Sequence, residues 1–140
     1  MKRVLFVCVH NSARSQMAEA FLNKLGAGIF EAESAGLEPR PLNPLAVQVM
    51  RETGYDISRN PTNSVFQFLK EGRRYELVVK VCDEINGQKC PIFPTTSAVL
   101  NWNLADPSEF EGTEAEKLEK TRKLRDEIRA RVESLIVVYS

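Results

Sequence analysis

The run from Val4 to Val9 constrains this chain more than any other stretch, because six apolar residues in a row, half of them valine, stand there without a polar interruption. A run that short and that rich in β-branched residues predicts a buried strand. The strand ends at Cys8, a short polar loop follows, and Met17, Ala18, Ala20, Phe21, Leu22 and Leu25 then recur on one side of a helix, with Gly26 and Gly28 as its stop. The unit is strand, loop, helix. Such a unit buries its strand only inside a sheet covered by other elements.

Further strands and helices alternate along the chain. Ile29 to Ala35 alternates apolar and polar as a second strand, with Ser34, Ala35 and Gly36 closing it. Pro39, Pro41 and Pro44 exclude regular structure between Leu37 and Asn43. Asn43 then caps a helix with Pro44 at its first position, Leu45, Ala46, Val49 and Met50 on its inner face, and Gly54 as the stop. Tyr55 to Pro61 reads as a loop, and Asn63 to Lys70 as a short helix carrying Val65, Phe66, Phe68 and Leu69.

Tyr75 to Val81 forms a third strand, ending at Cys82 as the first ends at Cys8. From Asp83 to Ser97 the chain is polar, holds Cys90, and predicts a mobile loop; Val99 to Asn103 reads as a short last strand. Thr113 to Ser134 is the longest helix, with Leu118, Leu124, Ile128, Val132 and Leu135 in one stripe and Glu116/Lys120, Glu119/Lys123 and Glu127/Arg131 as outer pairs. The whole predicts one α/β domain over residues 1–140, with helices on both faces of the sheet.

Charge excludes some partners. Lysine plus arginine and aspartate plus glutamate number 19 each, so no overall field draws the chain to nucleic acid or an anionic membrane. Apolar runs are too short to span a bilayer, and a start on Met-Lys-Arg directly before a strand shows no signal peptide. Three cysteines, an odd number, then fit a reducing, cytoplasmic setting in which thiols react rather than staple.

Five residues separate Cys8 from Arg14, and that spacing closes onto a helix N-terminus. The amides of Val9, His10, Asn11, Ser12 and Ala13 can curl inward there to hold a tetrahedral oxyanion, with the helix dipole behind them and the guanidinium of Arg14 gripping two oxygens. The same field favours a thiolate at Cys8. Ser15 can donate to that sulfur and cap the helix, while Asn11 suits the positive φ that the turn needs. His10 is expected to face solvent.

The string Cys8 to Glu19 resembles the low-molecular-weight protein tyrosine phosphatase superfamily, and more narrowly its thioredoxin-coupled arsenate reductases. That resemblance implies four parallel strands in the order 2-1-3-4 and makes Asp106, just before Pro107, the general acid. It implies attack of Cys8 on arsenate, a second attack by Cys82, and transfer of the disulfide to Cys90, with reduced thioredoxin as electron donor. No tightly bound cofactor is implied, and the chain is expected to act as a monomer. A potassium ion near Asn11, Glu19 and Ser34 belongs to the same resemblance, although Asn63 stands where relatives carry an aspartate. A tyrosine phosphatase working through phosphocysteine is the alternative. It is disfavoured because Ser108, Glu109 and Phe110 follow the Asp-Pro pair in place of paired tyrosines. A non-catalytic oxyanion-binding module is a third reading.

Overall fold

The computed structural model describes residues 1–81, 93, 94 and 96–140. Its centre is the expected first strand, β1 (Lys2–Cys8), flanked by β2 (Phe30–Gly36) on one side and β3 (Leu77–Lys80) on the other. With β4 (Ala98–Asn101) beyond β3, the sheet is parallel throughout and runs β2-β1-β3-β4. Register sets Cys8 beside Gly36 and Val7 beside Lys80, so three strands finish along one edge. In a parallel sheet that carboxyl edge is where ligands bind.

Strand geometry sends alternate residues to opposite faces. Val4, Phe6 and Cys8 therefore join the larger core, which is roofed by α1 (Arg14–Leu25), α2 (Pro44–Arg51) and α4 (Glu114–Tyr139). Met17, Phe21 and Leu22 from α1 and Ile128 and Val132 from α4 are wholly enclosed there. Each is worth about 1.5–3 kcal/mol of burial. Leu5 and Val7 point the other way, into a smaller core with Val65 and Phe68 of α3 (Val65–Lys70), Tyr75, Val78 and Phe93. Phe93 meets the Tyr75 ring edge-on at 5.2 Å.

Several boundaries differ from the sequence reading. The third strand is shorter than Tyr75 to Val81 because β4 pairs only with residues 77–80; its bonds to β1 run further, from Glu76 N to Arg3 O and from Val81 N to Val7 O, both 2.9 Å. Ser64, not Asn63, opens α3, its Oγ accepting from Gln67 N at 3.3 Å, and Phe66 is half exposed instead of facing the core. The last helix continues five residues past Ser134, since Leu135 extends its buried stripe and Lys2 donates to the Tyr139 carbonyl. Of its outer pairs, Glu127 meets Arg131 at 3.7 Å; Glu116 instead closes a capping box with Thr113, Lys120 reaches the Glu111 carbonyl, and Glu119 pairs with Arg122. Among the described residues no helix is long and apolar enough to cross a membrane.

Candidate active site

Cys8 stands at the end of the central strand, 2% exposed. The loop beyond it is held from outside by the proline-rich stretch after β2: Leu37 N donates to Cys8 O, Glu38 N to Val9 O, Arg40 N to His10 O and Asn43 N to Ser12 O, at 2.7 to 3.1 Å. Across a trans peptide the carbonyl and the next N–H point oppositely, so these four outward carbonyls turn the amides of Val9, His10, Asn11 and Ala13 inward. Asn11 N lies 3.0 Å from Cys8 Sγ. The turn is completed by Asn11 at φ 53, the left-handed value that asparagine tolerates. Gly36 permits the close approach: a Cβ there would stand 2.8 Å from both Asn11 N and Val9 O.

Ser15 Oγ lies 2.9 Å from the sulfur and accepts from Asn11 Nδ2 at 2.8 Å. Ser15 is not, however, the helix cap that the sequence suggests. Ala13 holds that position with no side-chain cap, because α1 starts at Arg14 and places Ser15 within its first turn, over Cys8. His10 is half-buried, with Nδ1 3.1 Å from Glu38 O. A carbonyl can only accept, so Nδ1 carries the proton.

Arg14 is buried at 3% exposure, its Nη1 donating to Leu104 O at 3.0 Å and its Nη2 lying 3.6 Å from Asp106 Oδ2. Asp106 also opens a 3-10 turn over Pro107–Glu109, with Oδ1 accepting from the amide and hydroxyl of Ser108 at 2.9 and 2.8 Å. One carboxyl oxygen is thus fixed while the other faces the guanidinium. Phe110 packs against the larger core. Cys82 and Cys90 lie outside the described residues; the chain is followed to Val81, one residue short of the first.

The oxygens expected to hold potassium do not assemble as a set. Asn11 Oδ1 has both lone pairs engaged, by Gln16 Nε2 at 3.2 Å and Asn63 N at 2.8 Å, and Asn63 Nδ2 donates to Ser34 O at 3.1 Å. What remains is the buried Ser34 hydroxyl, which faces the carboxyl of Glu19. Burial pushes Glu19 up to about 7, with Ser34 pulling it down and Glu33 adding to the rise. A carboxyl that resists ionisation and one hydroxyl are a poor cage for a cation, and among the described residues no group of three metal-binding side chains occurs.

Sequence reasoning missed Gln16. It looks like a solvated helix residue, yet it is 1% exposed and bonded to Asn11, Pro61 and Asn60. A polar residue directly after Arg14 and Ser15, on the side of the helix that starts from the loop, was the available signal.

A family profile described as low molecular weight phosphotyrosine protein phosphatase matches residues 3–138. The chain belongs to that family. Within it, the chain is 37% identical over 133 residues to an arsenate reductase of Halalkalibacterium halodurans, covering 95% of this chain and 94% of the relative. It is also 36% identical over 140 residues to a glutaredoxin arsenate reductase of Synechocystis sp., covering both in full. A solved arsenate reductase in the phosphate-binding state superposes with a TM-score of 0.83, at 37% identity and full coverage of both chains. All three of these likenesses run the length of the molecule, and all three are to arsenate reductases within a family named for tyrosine phosphatases.

Proposed function

We propose that this chain reduces arsenate to arsenite, with Cys8 as nucleophile. The observation that carries the reading is the setting of that sulfur: an amide and a hydroxyl within 3.0 Å of Sγ, in a loop with four carbonyls tied outward that closes on Arg14, itself 3.6 Å from Asp106. Hydrogen bonds to sulfur favour thiolate, and inward amides with a guanidinium suit the three oxygens of an arsenyl group.

The Cys8 thiolate attacks arsenic, forming an S–As bond, and one arsenate oxygen leaves as water with the proton that Asp106 supplies. The Cys82 thiolate then attacks Cys8 Sγ. An S–S bond forms, the S–As bond breaks, and its electron pair stays on arsenic, which leaves two electrons richer as arsenite. The Cys90 thiolate next displaces Cys8 from Cys82, and an external dithiol reduces the resulting Cys82–Cys90 bond. Reduced thioredoxin is the donor we assign; a glutaredoxin is the competing one, since one full-length relative carries that word in its name. The reaction belongs to a reducing cytoplasm and needs only a monomer.

The phosphatase alternative needs an aromatic wall beyond Asp106. Ser108 carries no ring and is bonded to Asp106, and Phe110 is partly buried against the larger core, which leaves no paired aromatic wall for a phenyl phosphate. The test is arsenate-dependent NADPH consumption with thioredoxin and its reductase, run beside glutathione and glutaredoxin. Cys82→Ser and Cys90→Ser should each abolish multiple turnover while sparing slow hydrolysis of a small aryl phosphate. Continued arsenate turnover in both variants refutes the relay.

A further inference from the structure

Gln16 uses its whole side-chain amide in the interior. Nε2 lies 3.0 Å from Pro61 O and 3.2 Å from Asn11 Oδ1, and Oε1 lies 3.2 Å from Asn60 Nδ2. We propose that Gln16 is a positioning residue for Cys8: together with the Asn63 amide it locks the side chain of Asn11 in the one orientation that sends the Ser15 hydroxyl proton to the sulfur.

The chemistry of the partners forces this direction. A backbone N–H can only donate, so the Asn11 atom 2.8 Å from Asn63 N is the oxygen, and its other terminal atom is the nitrogen. That nitrogen can only donate, so Ser15 Oγ accepts from it at 2.8 Å and keeps its own proton for Cys8 Sγ at 2.9 Å. Pro61 O can only accept, which makes the Gln16 atom facing it a nitrogen as well, with a second hydrogen left for Asn11 Oδ1. If the Asn11 amide turned over, its NH2 would meet two donors and its oxygen would draw the Ser15 proton away from sulfur. Gln16 thereby couples segment 60–63 to the nucleophile without touching it.

This role rests on Cys8 being the nucleophile of the proposed function, and it is independent of the oxyanion. The test is the pH profile of iodoacetamide alkylation in a Cys82→Ser, Cys90→Ser background, where Cys8 alone reacts. Gln16→Met keeps length and volume but has no donor; its alkylation midpoint should rise by about 0.5–1 pH unit, with the high-pH rate unchanged. Asn60→Ala removes only the bond to Gln16 Oε1 and should leave the midpoint in place. A Gln16→Met profile that coincides with the parent overturns the role, and so does an equal shift in Asn60→Ala, which would mean general loosening. Gln16→Leu replaces the methionine variant if that one does not fold. A parent in which Cys8 is alkylated no faster at pH 7 than free cysteine overturns the proposed function as well; a fast-reacting parent with coincident variants overturns only the role of Gln16.

Discussion

Glu19→Gln should flatten the pH dependence of folding stability between acid and neutral pH. Burial raises Glu19 from 4.5 to about 7 in the folded chain, so between those values the folded state holds a proton that the unfolded state has released. Stability from this group is complete below 4.5 and is lost as pH rises through about 7. At 1.36 kcal/mol per unit the gap corresponds to about 3 kcal/mol, and partial exposure of the side chain trims this to about 2. Glutamine is neutral throughout and can still face Ser34. The assay is urea unfolding at pH 5, 6, 7 and 8, followed by fluorescence of Trp102, which is 7% exposed and the one tryptophan in the chain. Subtracting variant from parent cancels every other titrating group. The variant should gain on the parent by about 1 M in urea midpoint from pH 5 to pH 8. Midpoints that run parallel across that range would show that Glu19 does not carry its proton into the neutral region.

Gly36→Ala should cost about 2–3 kcal/mol in urea unfolding and slow Cys8 alkylation, because the new methyl meets backbone atoms that cannot yield; unchanged alkylation would mean that β2 shifts in place of the loop. Asp106→Asn should lower arsenate kcat by about 10²-fold or more with little change in KM, and an unchanged kcat would remove Asp106 as the proton donor. Exchanging potassium for sodium at fixed ionic strength should leave kcat and KM unchanged, since Asn11 Oδ1 is already engaged by Gln16 and Asn63; a clear potassium activation measured by the same assay would show that those bonds give way to the ion.

Local features were legible where one residue type answers one local demand. The uninterrupted run at Val4 gives a central strand, Asn11 gives the left-handed turn, and Asn43 with Pro44 gives the start of α2, its Oδ1 accepting from Leu45 N at 2.9 Å. Strand order came from family resemblance, since periodicity says which face is buried and not which strand lies beside which. Beyond its place directly after Arg14 and Ser15, nothing local marked Gln16, because its burial depends on Asn60 and Pro61, 44 and 45 positions away, and propensity treats glutamine as an ordinary surface helix residue. The Ser15 cap failed for a similar reason: tertiary placement over Cys8 drew its hydroxyl from the task that local sequence suggested. The Arg14 contact with Leu104, 90 positions apart, has no sequence signal at all.

Val81 and Phe93 have a kinetic consequence. Both are clamped to the same sheet, the first through its amide to Val7 and the second through its ring on Tyr75. In sequence Cys82 directly follows the first clamp and Cys90 stands three residues before the second. In the proposed relay, exchange between the two thiols is intramolecular and therefore first-order. Dilution of the enzyme leaves the internal exchange rate untouched, and only the docking of the external dithiol answers to concentration.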